Sequence, residues 1–294
     1  MRVADNTLRN NVMRNLGRSL RELSKAQSQM SGQVISKPSD NPVVAAKLLN
    51  INAALSETAQ YQSNVRDAVA WVSLTDATLD KIGESLGRAK TLAQGGFTGT
   101  TPQNSRDYIA GEIDQLLEHV VTLSNSSFDG ERFLFGGTYH QGQPFALVGG
   151  VVGTRGTGAG SGAIKYEILR GIEMKVNIEG NKAFIDGGVF KSLHDLSTAL
   201  RSGSDGQAAM VAVDAAFNTI LTERATIGAR QNRLEMTDSR YLDEVLTLKQ
   251  LQSVLGDVDM AEAIMNYNVK EHVYQAALAA GARVMQPTLL DYLR

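Results

Sequence analysis

Any chemistry in this 294-residue chain has to come from few side chains. Cysteine is absent, which removes thiolate nucleophiles, disulfides and thiolate metal sites together. The histidines, His119, His140, His194 and His272, stand far apart. None has a second histidine or a carboxylate four residues away, the spacing that a helical metal site needs. His194 and Asp195 are adjacent, and adjacent side chains on a helix point apart. Gly158-x-Gly160-x-x-Ala163 loosely matches a dinucleotide-binding turn, but an alternating, strand-like segment follows it where that turn needs a helix N-terminus to hold the pyrophosphate. No G-x-x-x-x-G-K-[ST] phosphate loop and no G-x-S-x-G nucleophile turn occurs. The expectation is a chain that is not an enzyme, with no catalytic residue, no cofactor and no metal.

Composition points the same way. Apolar residues make up 43% of the chain and aromatic ones only 6%, with Trp71 the single tryptophan, so a large aromatic-lined pocket is not expected. A formal net charge of −2 supplies no field that would gather nucleic acid or an anionic membrane, and neither is expected as a partner. No stretch approaches the roughly 18 apolar residues of a membrane span, so membrane insertion is not expected. The first residues, Met1-Arg2-Val3-Ala4-Asp5-Asn6-Thr7-Leu8, lack the apolar core of a secretory signal. Export, if it occurs, is expected to use an uncleaved signal.

What the chain has in quantity is helical periodicity. Met13, Leu16, Leu20, Leu23, Gln27, Met30 and Val34 recur at alternating spacings of three and four, a narrow seam that wants a partner. Pro38 and Pro42 interrupt it, and Asn41 followed by Pro42 has the form of an N-cap and first helical residue. A second helix is then expected to run to about Gln94, with Leu48, Ile51, Leu55, Val65, Val72, Leu79, Ile82 and Leu86 in its seam. Gly95-Gly96 ends it, and Thr101-Pro102 opens a third helix with Ile109, Ile113, Leu117 and Val120 inward.

The pattern then changes. Phe128-Asp129-Gly130 predicts a turn and Arg132–Thr138 a short strand. Residues 139–190 are glycine-rich, with period-two alternation at Ile164–Ile168 and Met174–Ile178, which predicts a small β insert. Leu193, Leu196 and Leu200 mark a short helix before the Ser202–Gly206 break. From Met210 to Leu248 the three-four spacing returns, which predicts a rod of roughly 70 Å at 1.5 Å per residue. Gly256 closes it, and Asp259 with Glu262 forms a D-x-x-E capping signature for a last helix carrying Ile264, Tyr267, Tyr274 and Leu278.

The expected fold is mainly α with a small β insert: a long antiparallel helical coiled-coil bundle made by pairing the N- and C-terminal segments, with a central β-rich domain. The expected divisions are 1–41 with 257–294 as a terminal helical coiled coil, 42–138 with 191–256 as a long-helix bundle carrying a short β-hairpin, and 139–190 as the β-rich insert. Seams this long must be covered, within the chain or by another subunit. The candidate assembly-interface residues are Met13, Leu16, Leu20, Leu23 and Met30 at one end. At the other they are Ile264, Tyr267, Tyr274, Leu278, Leu289 and Leu290. Exposed seams are costly in a monomer, so the terminal helices are expected to be largely unfolded alone and to order on assembly.

Several segments carry a resemblance. Asp259-Met260-Ala261-Glu262-Ala263-Ile264, followed by Tyr274-Gln275-Ala276-Ala277-Leu278 and continuing through Arg283 to Leu293, is similar to the terminal helix of bacterial flagellin-type axial proteins. Asn15-Leu16 in the first helix has the same style. Flagellins proper usually continue into an arginine-isoleucine-asparagine-serine stretch and an aspartate pair. Here Pro38-Ser39-Asp40-Asn41-Pro42 stands instead, which with Arg132-Phe133-Leu134-Phe135-Gly136-Gly137-Thr138 resembles the hook–filament junction branch of that family.

The resemblance implies an inner layer made by the terminal helices, a second layer of longer helices and a β insert that projects outward. It also implies a structural role as an adapter between hook and filament, outside the cell in the bacterial flagellum, reached by type III export without signal cleavage. The implied partners are copies of the chain itself, hook-associated protein 1 on one side, flagellin and the filament cap protein on the other, and an export chaperone at the C-terminal region. The alternatives are a flagellin filament subunit and, from another class, a coiled-coil secreted effector or adhesin.

Overall fold

The computed structural model describes residues 2–30, 41–204 and 206–285. In chain order it contains α1 (Arg2–Gln29), α2 (Pro42–Gly96), α3 (Gln103–Ser124), β1 (Phe145–Val148), β2 (Val151–Thr154), β3 (Lys165–Leu169), β4 (Ile172–Lys175), a π-helical turn at Asn181–Asp186, α4 (Val189–Ser202), α5 (Gln207–Gly256) and α6 (Met260–Met285). The protein is mainly α with two separate two-stranded antiparallel sheets. It forms two compact units, Met1–Thr58 with Asp243–Arg294, and Ala59–Leu242.

In the first unit α1 and α6 run antiparallel. Val12 lies beside Gly281, where a Cβ would come within 3.2 Å of it. Further along, Lys270 Nζ donates to Glu22 at 2.7 Å, so residue number falls along α6 as it rises along α1. Asn41 caps the start of α2 by accepting from the Val44 N–H at 3.2 Å, with Pro42 as the first helical residue. At the far end of α5, Gln252 Nε2 donates to Asn52 at 2.7 Å. Asp259 caps α6, its Oδ1 accepting from the Ala261 N–H at 2.9 Å.

In the second unit the core is continuous. Trp71, Leu79, Ile82 and Leu86 of α2 meet Ile113 and Val120 of α3, Leu193, Leu196 and Leu200 of α4, and Ile220, Ile227 and Leu234 of α5, all buried. Phe184, on the π-helical turn, packs against Phe135 at 4.8 Å, Phe190 at 5.6 Å and Phe145 at 5.9 Å, which seats the β segments on the helices. β3 and β4 are tied down through main-chain oxygens: Asn64 Nδ2 donates to Glu167 O at 2.9 Å, Arg230 to Asn177 O at 3.0 Å, and the buried Tyr241 hydroxyl to Ile168 O.

Three details differ from expectation. The predicted strand Arg132–Thr138 is reduced to two isolated bridges, Ser127 with Phe133 and Gly137 with Ser161, because Gly136-Gly137 turns the chain away from a ladder. The second sheet lies at Lys165–Leu169 and Ile172–Lys175, closed by a turn at Gly171, so the alternation at Met174–Ile178 only partly overlaps a strand. The β1–β2 hairpin was not anticipated. Its signal is Gly149-Gly150 between two apolar runs, with φ of +60° and +84°, the left-handed pair that a two-residue hairpin turn demands.

Candidate assembly surface

One face of each helix in the α1–α6 pair is sheltered. The sheltered positions on α1 include Val12, Leu16, Ser19, Leu23, Ala26 and Met30; those on α6 include Ala263, Tyr267, Lys270, Tyr274, Ala277 and Gly281. Both sets keep strict heptad spacing. Val12 packs against Gly281, where a glycine leaves the room that its side chain takes.

This geometry sorts the sequence-predicted residues into two groups. Leu16, Leu23, Met30, Tyr267 and Tyr274 are half-buried within the chain's own helix pair. Met13, Leu20, Ile264 and Leu278 look outward, with exposures of 55%, 50%, 43% and 43%. Leu289 and Leu290, like Val34 and most of the Pro38–Pro42 connector, lie outside the described residues. The sequence reasoning passed over Met265, Val269 and Val273, which are also outward and exposed. Their signal is that the apolar residues of α6 are spread around the helix instead of gathered on one face, so those that look outward want a cover. The seam was misplaced by one residue at Met13, Leu20 and Gln27, because Val12, Ser19 and Ala26 take the packed positions.

Electrostatics distinguish the two helices. Arg14, Arg18, Arg21 and Lys25 are all exposed along α1, whereas the carboxylate of Glu22 is engaged by Lys270. The hydrogen bond from Lys270, then its charge, holds the Glu22 carboxyl below its ordinary value.

Reaction chemistry finds no comparable arrangement. His119, His140 and His272 are exposed and His194 half-buried beside the Gly150 turn. Among the described residues no group of three or more histidine, aspartate or glutamate side chains could hold a metal, and no helix is long and apolar enough to cross a membrane. A cleft of about 450 Å³ in the first unit is lined by Leu48, Asn52, Lys249, Gln252, Ser253, Gly256 and Asp257; the Ser253 hydroxyl donates to the Asp257 carboxylate, a local bond at the end of α5, where the Asp257 N–H also donates to Ser253 O at 2.8 Å.

Comparison with known proteins gives the same picture. The bacterial flagellin N-terminal helical region matches residues 3–139, and the bacterial flagellin C-terminal helical region matches residues 210–293. Flagellar hook-associated protein 3 of Escherichia coli is 27% identical, with 95% of this chain aligned to 96% of that protein. Flagellin of Bacillus subtilis is 25% identical over the full length of both. Among solved structures, a candidate flagellar hook-associated protein from Vibrio parahaemolyticus superposes with a TM-score of 0.67, covering 74% of this chain and 99% of that one at 23% identity, which establishes likeness of fold.

Proposed function

Since the chain belongs to the bacterial flagellin family, we propose that it is a structural subunit of the bacterial flagellum that works as an adapter at the hook–filament junction. The observation that carries this is the α1–α6 pair, which satisfies one seam within the chain and leaves Met13, Leu20, Ile264, Met265 and Leu278 exposed along its outer faces. An apolar surface of this kind is stable in water only when a neighbour covers it. End-to-end similarity to a hook-associated protein 3 supports a flagellar assembly as the one in which it is covered.

On this reading the neighbours are copies of the chain itself, hook-associated protein 1 towards the hook, and flagellin and the cap protein towards the filament. An export chaperone engages the C-terminal region before assembly. The protein acts outside the cell after type III export, without a cleaved signal, and it catalyses nothing. Leu289 and Leu290 belong to the same proposed interface as the exposed residues of α1 and α6.

A second reading, a filament subunit, is favoured by the full-length similarity to a flagellin. Pro38-Ser39-Asp40-Asn41-Pro42 favours the junction. Deletion of the gene separates them. A junction adapter leaves cells with hooks, no filaments and flagellin shed into the medium, restored by the intact gene but not by one truncated after Gly256. Hooks bearing filaments of normal length would overturn the junction reading. Filament loss with no flagellin-type protein left in the medium would favour the filament subunit.

A further inference from the structure

We propose that the outward methionines of the α1–α6 pair, Met13, Met260 and Met265, are an oxidation site through which a peroxide switches the apolar surface off. The proposal rests on the reading of that surface as an assembly interface. Met265 is 61% exposed, Met13 55% and Met260 46%, whereas Met174, on β4, is 6% exposed. The chain has no cysteine, so thioethers carry all of its sulfur chemistry and no thiol of its own consumes the oxidant first.

The step balances with hydrogen peroxide as the co-reactant. A sulfur lone pair attacks one peroxide oxygen, the O–O bond breaks, the thioether gains that oxygen as a sulfoxide and the other oxygen departs as water. Sulfur is oxidised by two electrons and peroxide is reduced by the same two.

The product is a strong dipole where an unbranched apolar side chain stood. None of the three methionines is among the sheltered positions between α1 and α6, so the pair itself tolerates the change. Covering the surface with another subunit does not, because a buried sulfoxide without a donor weakens binding by about tenfold at each site. Once covered, the same side chains are out of reach of the oxidant, so the site acts on subunits before they assemble. Met236, 74% exposed in the Ala59–Leu242 unit, is the internal reference: as reactive as the others, but not on this surface.

The test treats the purified full-length chain with hydrogen peroxide and maps the added oxygen by peptide mass. Helicity is measured alongside, and binding is scored by co-sedimentation with hook-bearing cells that lack the gene. The expected result is oxidation of Met265, Met13, Met260 and Met236 well before Met174, unchanged helicity and a loss of binding of tenfold or more. A Met13→Leu, Met260→Leu, Met265→Leu variant, whatever its own untreated affinity, is expected to bind equally with and without treatment although Met236 is oxidised. Oxidised chain that binds as well as untreated chain, or a triple variant that loses binding like the wild type, overturns the switch alone. Untreated chain that fails to bind overturns the junction reading and the switch with it.

Discussion

Arg224 of α5 places its guanidinium Nε 3.1 Å from one oxygen of the Asp76 carboxylate of α2 and Nη2 3.4 Å from the other, while Nη1 donates to Asp80. The contact joins residues 148 positions apart, in a seam whose neighbouring layers are Leu79, Ile82, Ile220 and Ile227. A charged pair in an apolar seam contributes little net stability, but it penalises every other register, since a slipped helix would bury the charges unpaired.

Arg224→Leu is therefore expected to lower stability, because Asp76 and Asp80 lose their shared cation. The site is about one-third exposed, so the cost falls near the low end of the range for broken ion pairs, about 1 kcal/mol. Arg224→Leu with Asp76→Leu is expected to recover most of it. Urea midpoints of the two variants decide. A double variant no better than the single one removes the pairing argument.

Acid should open the Phe128–Arg132 turn in a narrow window. Main-chain and side-chain hydrogen bonds from Arg132 hold the Asp129 carboxyl down at about 2, from an ordinary 3.8. A depressed acid contributes its stability above the ordinary value and loses it as pH falls through the folded one. Arg132 also lies over the ring of Trp71, 5.7 Å from its centroid, so the single tryptophan reports on the turn. Its fluorescence is expected to be flat from neutral pH to about 4 and to change between about 4 and 2. Asp129→Asn should abolish that step; a step that persists in the variant assigns it to another group.

Two glycines with similar backbone angles should behave differently. Gly137 has φ +65°, and a Cβ there would fall inside the Ser161 carbonyl. Gly130 has φ +89° with open space around it. Gly130→Ala should cost only the backbone strain, about 1 kcal/mol, while Gly137→Ala adds a main-chain collision and should cost more than about 3 kcal/mol. Equal costs in denaturant unfolding would mean that the 136–137 and 160–162 segments do not approach as closely as the structure has them.

Limited trypsin digestion should cut α1 first. Ala26 and Ala263 are the apolar side chains of the α1–α6 pair that are fully buried among the described residues, so opening the pair exposes little core. Cleavage at Arg14, Arg18, Arg21 or Lys25 is expected at least about tenfold faster than at Lys81 or Arg88 on α2. Comparable rates would refute the expectation that the terminal helices are largely unfolded alone and order on assembly.

Helix ends were legible because each has a local chemical cause: Asn41-Pro42 opens α2, Gly95-Gly96 closes it, Gly256 ends α5 and Asp259 caps α6. The seam of α1 was legible only to within one residue. Periodicity ranks positions by hydrophobicity, so Met13 and Leu20 look like core, whereas close packing ranks them by size and selects Ser19 and Ala26. The β segments were harder still. Glu167 O, Ile168 O and Asn177 O are held by Asn64, Tyr241 and Arg230 from distant helices, and no window of neighbouring residues contains those partners. Strands that depend on such contacts have weak local signatures.

The Glu22–Lys270 contact spans 248 residues. Chain closure over such a separation is slow, and it cannot begin until α6 has been made. A chain that stops ahead of Met260 therefore leaves α1 with every side chain of its packed face in water. Truncation within α5 would thus be felt at Leu16 and Leu23, near the other end of the sequence.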